Sequence, residues 1–260
     1  MLRINWALCF LISCAFWSCQ EKAAASVEPS LSQDSIPSPI QALEEELALV
    51  GVERVPDSLL SYPQIKQWVA RVRAQLIASD LKANRDSVFT DLLINRIIPY
   101  WYGTSWSFEG HSAQPQQGEI ACGYFVSTTL QHLGLQLNRY RLAQQLPIHE
   151  AKSLAIDTSL VLTLALKSTK ENIEKLYLLT EKGIYFIGFD ASHVGFLLNK
   201  AGKIYLIHSN YLDARGVMIE RIEESEVFAS YGRFHLVPLS GNQVLLDRWL
   251  RGEALAIITE

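Results

Sequence analysis

Cysteine is scarce in this chain beyond its first eighteen residues: of the four present among 260 residues, only Cys19 and Cys122 lie further along. No CxxC, HExxH or calcium-loop spacing occurs, which argues against a metal, and no Gly-rich phosphate loop is present, so no cofactor is expected. Runs of Lys and Arg are missing too. That argues against nucleic acid and against an anionic membrane surface as ligand. No internal repeat is found, and no low-complexity stretch follows Ile40.

What is there begins with an export signal. Met1-Leu2-Arg3 supplies one positive charge, and the fourteen residues from Ile4 to Trp17 are nearly all apolar. Such a run is short of the roughly twenty residues a membrane-spanning helix needs, and it suits a secretory core. Two segments resemble the lipobox of bacterial lipoproteins, a small-residue site ending in Cys. Leu11-Ile12-Ser13-Cys14 fits by residue type; Phe16-Trp17-Ser18-Cys19 gives the more ordinary length, with polar sequence after it. The reading adopted is a signal over residues 1–19 with Cys19 lipidated; Cys14, or a cleaved signal without lipid, are the alternatives. Residues 20–40 are rich in Ala, Ser, Pro and Gln without apolar period, so they read as a flexible tether. The expected location is exported and membrane-anchored, on the periplasmic or cell-surface side. Loss of Arg3 with the signal takes the net charge from −4 to −5.

Beyond the tether the balance is ordinary for a globular chain, 49 % apolar and 19 % charged, and about 220 residues allow one sizeable domain. A helical region is expected over residues 41–98. Helices are predicted from Gln41 to Val50, with Glu44-Glu45-Glu46 as a solvated face, from Pro63 to Ile77, and from Asp86 to Ile98, ended by Pro99. Residues 99–260 follow as a second region, rich in strands: Ile184 to Phe189, Val194 to Asn199, Lys203 to His208, Val217 to Arg221 and Arg233 to Leu239. Ala201-Gly202-Lys203 reads as a hairpin turn, and Glu223 to Ala229 as a short helix. Helices first and an antiparallel meander afterwards give an α+β layout.

Cys122 is the informative residue. Phe125, Val126, Leu130 and Leu133 recur at helical spacing, and Gly134 suits a C-cap, so Cys122 falls at the first turn of a helix. The N–H groups and dipole there are expected to lower a thiol pKa and to serve an oxyanion. A thiol nucleophile needs an imidazole base. His193 opens one strand and His208 closes the next; a turn centred near 200 to 201 sets them level, so a triad is geometrically possible. An inert buried thiol, with each His a solvent-facing strand end, is the alternative.

These pieces resemble the NlpC/P60 cysteine peptidases of the papain-like superfamily. Tyr100-Trp101-Tyr102-Gly103-Thr104-Ser105 is similar to their aromatic-Gly-Thr segment, and Ala121-Cys122-Gly123-Tyr124-Phe125-Val126 to their Asp-Cys-Ser-Gly-Phe-Val helix start. His193-Val194-Gly195-Phe196 and Ile207-His208-Ser209 resemble the two histidine strands. The resemblance covers about 110 residues, Tyr100 to Asn210. It implies a papain-like NlpC/P60 fold, with N-terminal helices packed on a small antiparallel sheet, and makes residues 99–260 a catalytic domain. It implies Cys122 as nucleophile, His193 as base, His208 as third member, and Tyr100, Tyr102 and Tyr124 as substrate-facing. The implied reaction is hydrolysis of a peptide or amide bond through a thioester, with cell-wall (peptidoglycan) stem peptides as substrate.

The chain departs from that pattern around the thiol: Ala121 stands for Asp, and Gly123-Tyr124 for Ser-Gly. The loop from Phe108 to Glu119 is long and polar. A papain-like amidase or acyltransferase on another substrate, and a non-catalytic lipoprotein binding wall fragments, therefore stand beside the peptidase reading. The aromatic run Tyr100 to Trp106 reads equally as a stacking wall or as core. His111 reads as an exposed loop residue, with contact to substrate as the alternative; His132 reads as a helix-face residue and His149 as a loop one, with no partner spacing to suggest more; His235 reads as the wet face of a strand, and Asp190 as a turn cap, with an influence on His193 as the alternative.

Overall fold

The computed structural model describes residues 39–54, 56, 59–78, 84–190 and 192–259. The expected signal, Cys14, Cys19 and almost all of the expected tether lie outside them. Only the last two tether residues, 39 and 40, are described, and they already belong to a helix.

Three helical stretches come first: α1 (Pro39–Leu49), α2 (Tyr62–Ala78) and α3 (Arg85–Asp91). The third was expected to run to Ile98. Instead α3 passes into a π-helical stretch, Leu92–Ile97, and closes in a 3-10 turn, Ile98–Tyr100. Pro99 has no N–H for the carbonyl four residues back, so the α ladder cannot run through it. Nor is the Glu44-Glu45-Glu46 run wholly a solvated face. Glu46 binds Lys203, Tyr205 and Arg221, tying α1 to the sheet.

Next come α4 (Cys122–Leu133), α5 (Arg139–Ala143), α6 (Pro147–Ala155), the short strand β1 (Leu162–Leu164) and α7 (Thr169–Leu179). The expected strands follow, most of them a residue or two longer than read: β2 (Gly183–Phe189), β3 (His193–Lys200), β4 (Lys203–Asn210) and β5 (Gly216–Arg221). A short α8 (Glu226–Ala229) precedes β6 (Phe234–Pro238), and α9 (Gln243–Arg251) is the last described helix.

All six strands join one antiparallel sheet in the order β1-β6-β2-β3-β4-β5. The layout is α+β. Both faces are covered, which is why the central strands read as nearly unbroken apolar runs. Phe186, Phe196, Leu198, Tyr205 and Ile207 join the helical core with Leu47, Ile65, Leu93, Phe125 and Trp249. Ile187, Phe189, Leu197 and Leu206 face the other way, against Leu176 of α7, Phe228 of α8 and Phe234. The described residues therefore form one compact unit, the N-terminal helices sharing a core with the sheet.

The β3–β4 turn corrects the expected register. Lys200 pairs with Lys203, so Ala201 and Gly202 alone make the turn, both at positive φ (53° and 74°) as a two-residue hairpin requires. The turn centre falls one residue later than expected. His193 and His208 are thus not level but offset diagonally, by two positions.

Candidate active site

Cys122 is the first residue of α4. Its N-cap, Ala121, is extended and offers no side chain to the helix's first N–H groups. An Asp or Ser there would occupy them; here those of Cys122 and Gly123 turn to the sulfur. Gly123, the next residue, is fixed by packing, since a Cβ on it would lie 2.7 Å from the Ala143 carbonyl oxygen.

The sulfur reaches the start of β3. Its hydrogen-bond partner is the Ser192 carbonyl oxygen at 4.0 Å, and the Val194 N–H also points to it. These two residues flank His193. Burial pushes the Cys122 thiol up to about 11; Glu150 adds to this, while the N–H groups of Val194, Gly123 and Cys122 pull the other way. The expected lowering by the helix start is present as a contribution, but burial outweighs it. The proton rests on sulfur.

His193 and His208 lie on one face of β3 and β4, buried, with Nε2 of His193 2.9 Å from Nδ1 of His208. The diagonal offset is bridged because nothing stands between them. The residue beside His208 on β3 is Gly195, where a Cβ would come within 3.0 Å of the His208 Cβ and 2.9 Å of the Ile207 carbonyl oxygen. Burial, with His208 adding, holds His193 well below its usual pKa, so it is a neutral base at rest. With Nε2 taken by His208, Nδ1 is the nitrogen left to a proton donor.

The row continues where the sequence reading stopped. Nε2 of His208 meets Oε1 of Glu220 at 3.2 Å, and Ser225 donates to the same oxygen. In the strand Val217-Met218-Ile219-Glu220, a polar residue in alternation reads as a wet face. Here that second face is buried as well, and Glu220 is 8 % exposed.

Aromatic rings wall the site. Tyr211 stands edge-on to His193 at 5.3 Å between centroids, and Tyr231 lies parallel to it at 6.4 Å. The Tyr231 hydroxyl is 3.2 Å from Ser192 Oγ. Burial, with a hydrogen bond to Tyr231, pushes Tyr211 up to about 12; Cys122 contributes too. Trp106 packs on Tyr211. Neither tyrosine was singled out in the sequence, because each lies outside any motif.

The three tyrosines expected to face substrate separate. Tyr124 packs with His111 and Tyr140 beneath the Arg139 guanidinium, which also holds the backbone of the Phe108–Glu119 loop at His111 and Ser112. Tyr100 donates to the Leu60 carbonyl at 2.7 Å and tilts onto Tyr62. The Tyr102 ring lies under Arg54. Those two turn toward the N-terminal helices. The aromatic run therefore divides: Trp101 is core, bonded to Tyr62, and Trp106 belongs to the wall.

Two histidine readings change, and His132 gains a partner. His235 is buried, 7 % exposed, with Nδ1 3.1 Å from Thr163 Oγ1, because β1 covers what was read as a wet face. His132 has a partner, the Tyr62 hydroxyl at 2.8 Å, and burial lowers it to about 4. His149 lies in α6 rather than a loop. The Asp190 carboxylate accepts from the Gly232 N–H, in the turn before β6.

Among the described residues no group of three or more His, Cys, Asp or Glu is arranged to hold a metal ion. No family model matches the chain, and no curated protein or solved structure shows significant similarity to it.

Proposed function

We propose that this protein is a thiol hydrolase of papain-like, NlpC/P60 type, cutting an amide or peptide bond. The observation that carries the proposal is an uncapped helix start that sets the Cys122 sulfur against the backbone on either side of His193, itself bonded to His208. Substrate binding brings the carbonyl carbon to Sγ. The thiol proton passes to Nδ1 of His193 as the S–C bond forms, and the oxyanion is met by N–H groups at the helix start. Collapse breaks the C–N bond, and the leaving amine takes the proton from Nδ1. Water then attacks the thioester, giving its proton to Nδ1; the carboxylic acid leaves, and sulfur recovers the proton.

Because burial favours the neutral thiol and the neutral imidazole, the proton moves to Nδ1 together with attack on the carbonyl rather than before it. The substrate we propose is a cell-wall stem peptide, reached by a lipid-anchored, tethered enzyme outside the cytoplasm. A second reading, an amidase or acyltransferase on a non-wall substrate, is favoured by the aromatic wall of Trp106, Tyr211 and Tyr231, which suits an apolar acyl group.

Purified wall peptides and a panel of acyl amides are incubated with wild type and Cys122→Ala, and the products are read by mass spectrometry. New fragments from wall peptides, absent with the variant, are expected. Cleavage of acyl amides alone would select the second reading, and no cleavage of either would reject the hydrolase.

A further inference from the structure

The hydrogen bonds running away from His193 have one direction only, and that direction can be followed from its far end. The Phe228 N–H donates to Ser225 Oγ at 3.0 Å. A backbone N–H cannot accept, so the Ser225 oxygen is an acceptor there and its own proton points onward, to Oε1 of Glu220. That oxygen therefore accepts. It accepts again from His208, 3.2 Å away, so the His208 proton is on Nε2. Where His208 carries that one proton and no second, its Nδ1 is bare. The His208 Nδ1 consequently accepts from His193, whose proton is on Nε2, leaving the His193 Nδ1 bare.

We infer that Glu220, held by Ser225, is a positioning residue that sets the tautomer of His193 through His208. The inference rests on the hydrolase reading of this site. Glu220 touches neither thiol nor substrate. What it does is fix which nitrogen of a ring two strands away can take a proton. The row crosses β3, β4 and β5 on one sheet face, each member offset diagonally from the last. His208 is level with Met218, and Glu220 with Leu206. His193, His208, Glu220 and Ser225 are all buried, so water does not compete for these bonds.

The wrong tautomer would put a proton on the nitrogen that must receive one. In serine proteases an error of that kind costs about four powers of ten in kcat. Two rings in series dilute the control, so Glu220→Ala is expected to lower kcat about a hundredfold or more, with KM within a few-fold. Glu220→Gln keeps a carbonyl oxygen where both donors need it, and is expected to recover kcat to within about tenfold of wild type.

The test that needs no turnover is ¹⁵N NMR of the full chain labelled at histidine, at pH 7.5, with His193→Gln and His208→Gln for assignment. Wild type is expected to show protonated Nε2 and bare Nδ1 at both His193 and His208, and Glu220→Ala to show mixed tautomers at both. A proton on the His193 Nδ1 in wild type overturns the inference, as do unchanged imidazole nitrogens in Glu220→Ala. Glu220→Gln falling as far as Glu220→Ala would also overturn it, since charge rather than an acceptor would then be the requirement. The wild-type spectrum tests the direction even if Glu220→Ala does not fold. Should wild type show the expected tautomers but cleave nothing, the hydrolase reading fails and the relay stands.

Discussion

Gly195 occupies the place where β3 must leave room for a ring on β4. A methyl group there meets the His208 Cβ and the Ile207 carbonyl within 3.0 Å, both held by the sheet. Gly195→Ala is expected to cost about 1–3 kcal/mol, as overpacked sites do, and to lower kcat further by moving His208 off His193. Urea melts and kinetics on one preparation check both; unchanged stability would show that the strand yields. Gly123 poses the complementary case. Where the resembled family has Ser, any side chain here strikes the Ala143 carbonyl, so Gly123→Ser is expected to destabilise by a similar amount, read by the same melts.

At the scale of elements, the C-terminal helix is pinned at two points. Trp249 of α9 donates to the Leu133 carbonyl at 2.9 Å, the end of the helix that carries Cys122, and packs edge-on against Phe89. Replacing it with Phe removes the donor and leaves that carbonyl buried. A loss of about 1–3 kcal/mol is expected in chemical denaturation; no loss would mean that water reaches the carbonyl. This helix went unread in the sequence although its signals were there: Asn242 caps it and Gly252 ends it in the left-handed region. The strands were legible because β-branched and aromatic runs stood between turn residues, and α4 because its apolar residues held a strict period up to Gly134. The candidate site was legible from the same signals, Cys122 opening α4, His193 opening β3 and His208 standing two residues before the end of β4. Glu220, Tyr211 and Tyr231 were not. Their importance comes from a second layer, α7 and α8, covering a face that alternation alone marks as wet.

At the scale of the whole molecule, the buried titratable groups set the pH range. His193 is held well below 6.5 and His132 at about 4 in the folded chain. The unfolded chain binds these protons first, so stability present above about pH 6.5 is lost as pH falls toward 4. Cys122 works at the other end. Folded, its thiol keeps its proton to about 11, so stability is lost as pH rises from about 9 to 11. Thermal melts across pH 4 to 11 are expected to show a plateau between about 6.5 and 9, and Cys122→Ala to remove the part of the alkaline loss that begins near 9, leaving the acid limb and the tyrosine loss above 10 in place. The acid limb of kcat/KM should also fall below pH 6.5, because the free-enzyme base is an imidazole held neutral by burial. An acid limb at or above 6.5 would place the base elsewhere.

Hairpin tips are ordinarily where a chain tolerates insertion. The tip at Ala201 and Gly202 is exposed and far along its strands from either imidazole, yet it acts as the index mark of the machine. One residue added there, if taken up by sliding β4, would turn His208 to the helical side of the sheet and break the proton path, although the added residue itself touches nothing at the site. Length at this surface turn is therefore under the same constraint as the nucleophile itself, and an insertion scan along the chain should find its sharpest intolerance outside the crevice at these two residues.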